Sequence, residues 1–87
     1  MNFCCVLGKI ITDINFNFMI EKKRYSIISF YMQLKNKSII FVEAYNEIAD
    51  LCYQYLKKGD NICINGYLDN KNILKIVIEE ICVEDKI

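Results

Sequence analysis

Eighty-seven residues with 11 basic and 11 acidic side chains make one small domain of zero formal net charge. Apolar residues are 54% of the chain and charged ones 25%, the composition of a folded rather than a disordered protein. No apolar run approaches the roughly 18 residues of a membrane helix, no secretory or transit segment is expected at the N-terminus, and the absence of histidine removes the commonest general base.

The first strand is expected over residues 2–14. Cys4, Val6, Gly8 and Ile10 share one face, and Phe3, Cys5, Leu7 and Lys9 the other. Gly8 inside a strand predicts a bulge or sharp bend, as barrel closure requires. Residues 15–18 continue the strand, Phe16 and Phe18 alternating with Asn15 and Asn17. Glu21, Lys22, Lys23 and Arg24 form a polar turn. The second strand, 25–34, directs Phe30, Met32 and Leu34 to the core and leaves Ser29, Tyr31 and Gln33 outside. A short turn at 35–37 makes a hairpin with the third strand, 38–45. There Ile40, Val42 and Ala44 face one way, and Ile39, Phe41, Glu43 and Tyr45 the other.

Asn46 suits a helix N-cap, with Glu47 and Asp50 in the first turn and Lys57 and Lys58 in the last, as the helix dipole favours. Gly59 follows as a left-handed helix stop. Ile48, Ala49, Cys52, Tyr55 and Leu56 fall on one face at helical spacing. The fourth strand, 61–68, places Ile62, Ile64, Gly66 and Leu68 on one side. Turn formers at 69–72 lead to the fifth strand, 73–83, whose adjacent Glu79 and Glu80 are expected on opposite sides. By pattern alone, five strands and one helix give a small α+β domain.

The central stretch, 39–68, resembles the single-stranded DNA-binding protein family of bacteria and organelles. The matching residues are Val42, Ala44, Tyr45, Ile48, Ala49, Asp50, Tyr55, Leu56, Lys58, Gly59, Asp60, Ile62, Ile64, Gly66 and Leu68, with no gap. The family's opening is met by Asn2, Cys4, Val6, Gly8, Lys9 and Ile10. The resemblance covers nearly the whole chain and is greatest to the short plastid-encoded members of algae. It implies a mostly β protein: an OB-fold, a five-stranded Greek-key barrel with one helix between strands 3 and 4, binding oligonucleotides on the face of strands 2 and 3. It also implies a homo-oligomer, dimer or tetramer, paired through the first strand. The apolar outer face of Phe3, Cys5 and Leu7 independently calls for such a cover. The abundance of residues with A/T-rich codons fits a plastid genome, or alternatively the cytoplasm of a low-GC bacterium.

Single strands are held by stacking bases on aromatics and by a basic groove for the backbone. The expected nucleic-acid-binding residues are Tyr31, Phe41 and Tyr45 with Lys9, Lys35, Lys37 and Lys71. Ser29, Gln33 and Glu43 share the face, and Lys22, Lys23, Arg24 and Lys75 are further basic candidates. Tyr45 stands at the family's stacking aromatic before the helix. The family's tryptophans are missing, Ile39 standing where one is common, and Glu43 puts a negative charge in the groove. The same aromatics could instead be cross-strand packing or a protein contact. The alternative function is therefore an OB-fold interaction subunit that has lost nucleic-acid binding. No catalytic constellation, cofactor, small-molecule substrate or membrane contact is expected. Five cysteines, Cys4, Cys5, Cys52, Cys63 and Cys82, form no CxxC pair. They read as buried small hydrophobes rather than a disulfide framework or metal site.

Overall fold

The computed structural model describes residues 3–20, 24–69 and 75–83. It contains β1 (Phe3–Ile10), β2 (Asn15–Ile20), β3 (Arg24–Leu34), β4 (Ile39–Tyr45), α1 (Asn46–Tyr55), β5 (Asn61–Asp69) and β6 (Lys75–Val83). The strands follow the order β1-β5-β6-β4-β3-β2, and β1 also pairs with β3. That last ladder brings the sheet back on itself. All pairings are antiparallel except β4 with β6. With α1 bridging β4 and β5, this is the OB-fold that the sequence led us to expect, its first strand divided in two.

The division has a definite cause. Ile10 pairs with Met32, and Asn15 with Ser29. Residues 11–14 therefore span what Phe30 and Tyr31 span on β3, so β1 and β2 are one path along β3 with two residues inserted. The insertion leaves backbone groups that need partners. Ile11 N–H donates to the Tyr31 carbonyl (3.0 Å), and Tyr31 N–H donates to Thr12 Oγ1 (3.0 Å). The bend that Gly8 predicted is matched by a crowded crossing: Gly8 pairs with Leu34 on one side and Ile62 on the other. A Cβ there would stand 2.6 Å from the Gln33 carbonyl oxygen, so only glycine admits the approach of β3.

Strand alternation fills the interior. Ile28, Phe30 and Met32 from β3, Val42 and Ala44 from β4, Ile62 and Ile64 from β5 and Ile76 and Ile78 from β6 are buried around Ile10. Leu34, expected in the same row, is half-buried. The helix contributes Ala49 and Cys52, as its spacing predicted, with Ile48 partly buried, and Leu56 is buried just past its end. Tyr55 departs from that face and is 64% exposed.

The helix ends also depart from expectation. Asn46 is no cap: it is the first helical residue, at φ 55°, while Tyr45 holds the N-cap position in extended conformation without a side-chain cap bond. Asparagine tolerates the left-handed region better than most residues. The first turn is instead tied to β3 by Ser26, whose Oγ lies 3.3 Å from the Asn46 carbonyl oxygen and 2.9 Å from Asp50 Oδ1. The helix stops at Tyr55, so Lys57 and Lys58 lie beyond its last turn. Gly59, at φ 99°, sits in a following turn rather than at the stop. Lys57 N–H donates to Asp60 Oδ2 (3.0 Å), and the turn is fastened to β1 by Gly59 N–H to Ile10 O (2.8 Å) and Ile10 N–H to Asp60 O (2.9 Å).

A second irregularity lies in the β5–β6 ladder. Asn65 pairs with Glu80 and Gly66 with Ile78, leaving Glu79 as the extra residue. Glu79 and Glu80 are both exposed and border the same shallow groove beside Cys4, Cys5 and Asn65, contrary to their expected opposite placement. A bulge breaks the strand period locally, which adjacency in sequence does not reveal.

Candidate nucleic-acid interface

The β3–β4 hairpin turns one face to the core and the other outward. Across the outer face Tyr31 pairs with Phe41, Ser29 with Glu43, Ile27 with Tyr45 and Gln33 with Ile39. The Tyr31 and Phe41 rings meet at 5.1 Å between centroids and 53° between planes, a tilted aromatic pair. Tyr31 is 45% exposed, and Phe41 and Tyr45 are half-buried. Each therefore combines a fixed base with an open surface. Tyr45 is positioned by the strand-to-helix junction, and its hydroxyl donates to Glu43 Oε1 at 2.6 Å. Tyr31 is braced from behind by the residue 11–14 insertion through Thr12.

The lysines gather at one end of this face. Lys9 pairs with Gln33 on β3 and with Asn61 on β5. The β3–β4 turn is tight, with Lys37 N–H donating to Leu34 O (3.0 Å) and Leu34 N–H to Ser38 O (2.9 Å). Ser38 N–H is further held by Asn36 Oδ1 at 3.0 Å, and Lys37 takes φ 73°. Lys9, Lys35 and Lys37 thereby line one groove of about 740 Å³ with Gln33, Leu34 and Asn61. Gln33 belongs to both features: it lines the groove and lies two residues along β3 from Tyr31, on the same face. The aromatic row and the lysine groove are thus adjoining parts of one surface.

Other expected residues are placed less completely. Lys22, Lys23 and Lys71 lie outside the described residues. Arg24 begins β3, and Lys75 on β6 is the register partner of Phe41. Phe3 is known by its register with Tyr67, while Cys5 is exposed and Leu7 is 56% exposed on the outer side of β1. Cys5 thus departs from the expected buried thiols. Burial pushes the Cys52 thiol up to about 11. Among the described residues no group of three His, Cys, Asp or Glu side chains is placed to hold a metal ion.

Two contacts escaped the sequence reading. The Phe16 and Tyr53 rings lie 4.5 Å apart, joining β2 to α1. Cys5 and Cys63 Sγ atoms lie 3.7 Å apart although 58 residues separate them. Helical spacing set Tyr53 off the core face, and nothing local connects the two cysteines.

No protein-family model matches the chain, and no curated protein matches it by sequence. Solved structures do match its fold. The single-stranded DNA-binding domain of a Synechococcus protein superposes with TM-score 0.82 at 12% identity, over 93% of each chain. The single-stranded DNA-binding protein of Thermus aquaticus gives 0.82 at 16%, over 99% of this chain and 41% of that one. The second OB-fold domain of replication protein A from Methanococcus maripaludis gives 0.76 at 20%, over 94% and 83%. At these identities the likeness is one of fold. The protein is an OB-fold domain. Its architecture is that of the single-strand-binding domains it superposes on.

Proposed function

We propose that the protein binds single-stranded DNA with little sequence demand, stacking bases on Tyr31, Phe41 and Tyr45 while lysines neutralise the backbone. The observation that carries this reading is the continuity, through Gln33, of the Tyr31–Phe41 pair with the groove lined by Lys9, Lys35 and Lys37. Stacking is sequence-tolerant because every base has a π face. Zero net charge does not oppose it, since phosphates respond to the nearby cations. The names of the structural neighbours support the same reading. A role in replication, repair or recombination fits, with an organelle or low-GC genome as the setting.

The test is a titration with labelled oligo-dT and with duplex of equal length at two salt concentrations. Tighter binding to oligo-dT, weakening as salt rises, is expected. No complex at low salt with tens of micromolar protein would overturn the proposal. It would favour the interaction-subunit reading, which the exposed Leu7, Leu51, Tyr53 and Tyr55 motivate. A second copy of the chain is the proposed cover for Cys5 and Leu7.

A further inference from the structure

The zero formal charge of the chain conceals a separation of charge along the outer side of β1 and β5. At one end Cys5 pairs with Asn65 and Asn65 with Glu80, a row of exposed residues beside the extra Glu79. Glu79 and Glu80 border the groove at this end. Leu7, 56% exposed, stands two residues along β1. Two residues further is Lys9, where Lys35 and Lys37 join it around the second groove, and Leu7 lines that groove too. All these lysines are exposed. The surface therefore passes from carboxylates over an apolar centre to ammonium groups, and its span from Cys5 to Lys9 is about 13 Å of strand.

Such a surface fits itself. A two-fold axis over Leu7, lying in the plane of contact and at right angles to the line between the two ends, exchanges them. Each copy's carboxylates then lie over the lysines of the other, and leucine meets leucine between two contacts of opposite charge. Other occupants satisfy only part of it. A nucleic-acid strand meets the lysines but is repelled by Glu79 and Glu80, and a basic partner meets those carboxylates but is repelled by the lysines. A second copy answers both ends and covers the apolar centre.

We propose that a second copy docks on this face by exchange of charge, seating its Glu79 and Glu80 carboxylates in the lysine groove, so that self-association and single-strand binding exclude each other. The exclusion rests on the reading of that groove as the site for the DNA backbone. Phosphates and the second copy's carboxylates seek the same ammonium groups. A single strand that takes the groove therefore holds one chain and draws the pair apart by mass action.

The experiment measures self-association by sedimentation at low salt, with and without oligo-dT of about 8 nucleotides, within the span of one OB-fold. Wild-type protein should be a dimer alone and should carry one chain per strand when bound. Glu80→Lys sets like charge against the second copy's lysines, and Lys35→Glu sets it against the second copy's carboxylates, so each should weaken the dimer about tenfold or more. Glu47→Lys, the same charge change on α1, should leave it unchanged. Glu80→Lys combined with Lys35→Glu restores opposite charge and should recover the dimer to within about threefold of wild type. Circular dichroism confirms that these surface variants fold. A wild-type monomer, a dimer indifferent to the single reversals, or a double variant that stays monomeric would overturn docking on this face. A dimer that persists with oligo-dT bound to each chain would overturn the exclusion. Oligo-dT left unbound while the reversals behave as expected would overturn the single-strand reading, and the exclusion with it, and would leave the docking surface standing.

Discussion

Ser26 on β3 and Asp50 on α1 are joined by a 2.9 Å bond from the serine hydroxyl to Oδ1, across 24 residues of sequence. Ser26 is 4% exposed, so the bond fixes the helix on the barrel from a buried position. Ser26→Ala removes this bond and the longer one to the Asn46 carbonyl. Asp50 is exposed and regains water, so the loss should be modest, about 1 kcal/mol. For a domain of this size that corresponds to a fall in Tm of roughly 4–8 °C by calorimetry. An unchanged Tm would show that the helix is held by the packing of its apolar and aromatic side chains without this bond.

The aromatic row and the lysine groove should separate in a salt series. Tyr31→Ala or Tyr45→Ala should weaken oligo-dT binding by about 1–3 kcal/mol with little change in its salt dependence, because stacking releases no counterions. Lys35→Gln and Lys37→Gln should instead each flatten the slope of log affinity against log salt by about 0.7 if their ammonium groups meet phosphates. Fluorescence anisotropy at several salt concentrations checks both. A tyrosine variant that binds as wild type would assign that ring to packing.

Leu7 is 56% exposed on a strand whose other face lines the core. If a second copy covers it, Leu7→Asp should place an unpaired charge in the contact and dissociate the assembly. Light scattering after size exclusion should read the wild type at no less than twice the monomer mass and the variant at the monomer mass. A monomeric wild type at micromolar concentration would refute self-pairing.

Thiol reactivity should rank by environment. Cys5 is exposed, whereas Cys52 is buried and its thiol is pushed from 9.0 to about 11 by desolvation. Since the thiolate is the reactive form, native protein at pH 8 should be alkylated at Cys5 well before Cys52. The raised value also means that the folded state holds this proton more tightly than the unfolded state. Its contribution to stability is therefore complete below about pH 9 and declines as pH rises toward about 11. Mass spectrometry of timed alkylation, and denaturant midpoints across that range, check the two consequences.

Much of the outward face of β3 and β4 was legible because strands alternate. Buried Phe30, Met32, Val42 and Ala44 leave Tyr31, Phe41 and Tyr45 outward by parity alone. Where parity breaks, the sequence was silent. The insertion at 11–14 and the extra Glu79 depend on how many residues the partner strand supplies, which only the paired structure states. Asn46 was misread for a related reason. A cap assignment presumes the chain enters the helix at that residue, but the partners of Ser26 on β3 accompany a start one position earlier. Cys5 and Cys63 meet only because β1 and β5 are neighbours, a fact of topology rather than of spacing.

The corner at 11–14 separates what is fixed in this barrel from what is not. Ile10 is fully buried before the interruption, and Ile14 and Phe16 pack against the core after it. The side that β2 turns inward is set by its ladder with β3, where Phe16 pairs with the fully buried Ile28. The same holds across the one extra residue of β6: Ile78 is buried before Glu79, and Ile81 packs against the core after it. Length at such a corner is therefore free to vary while the pairing on either side keeps its register.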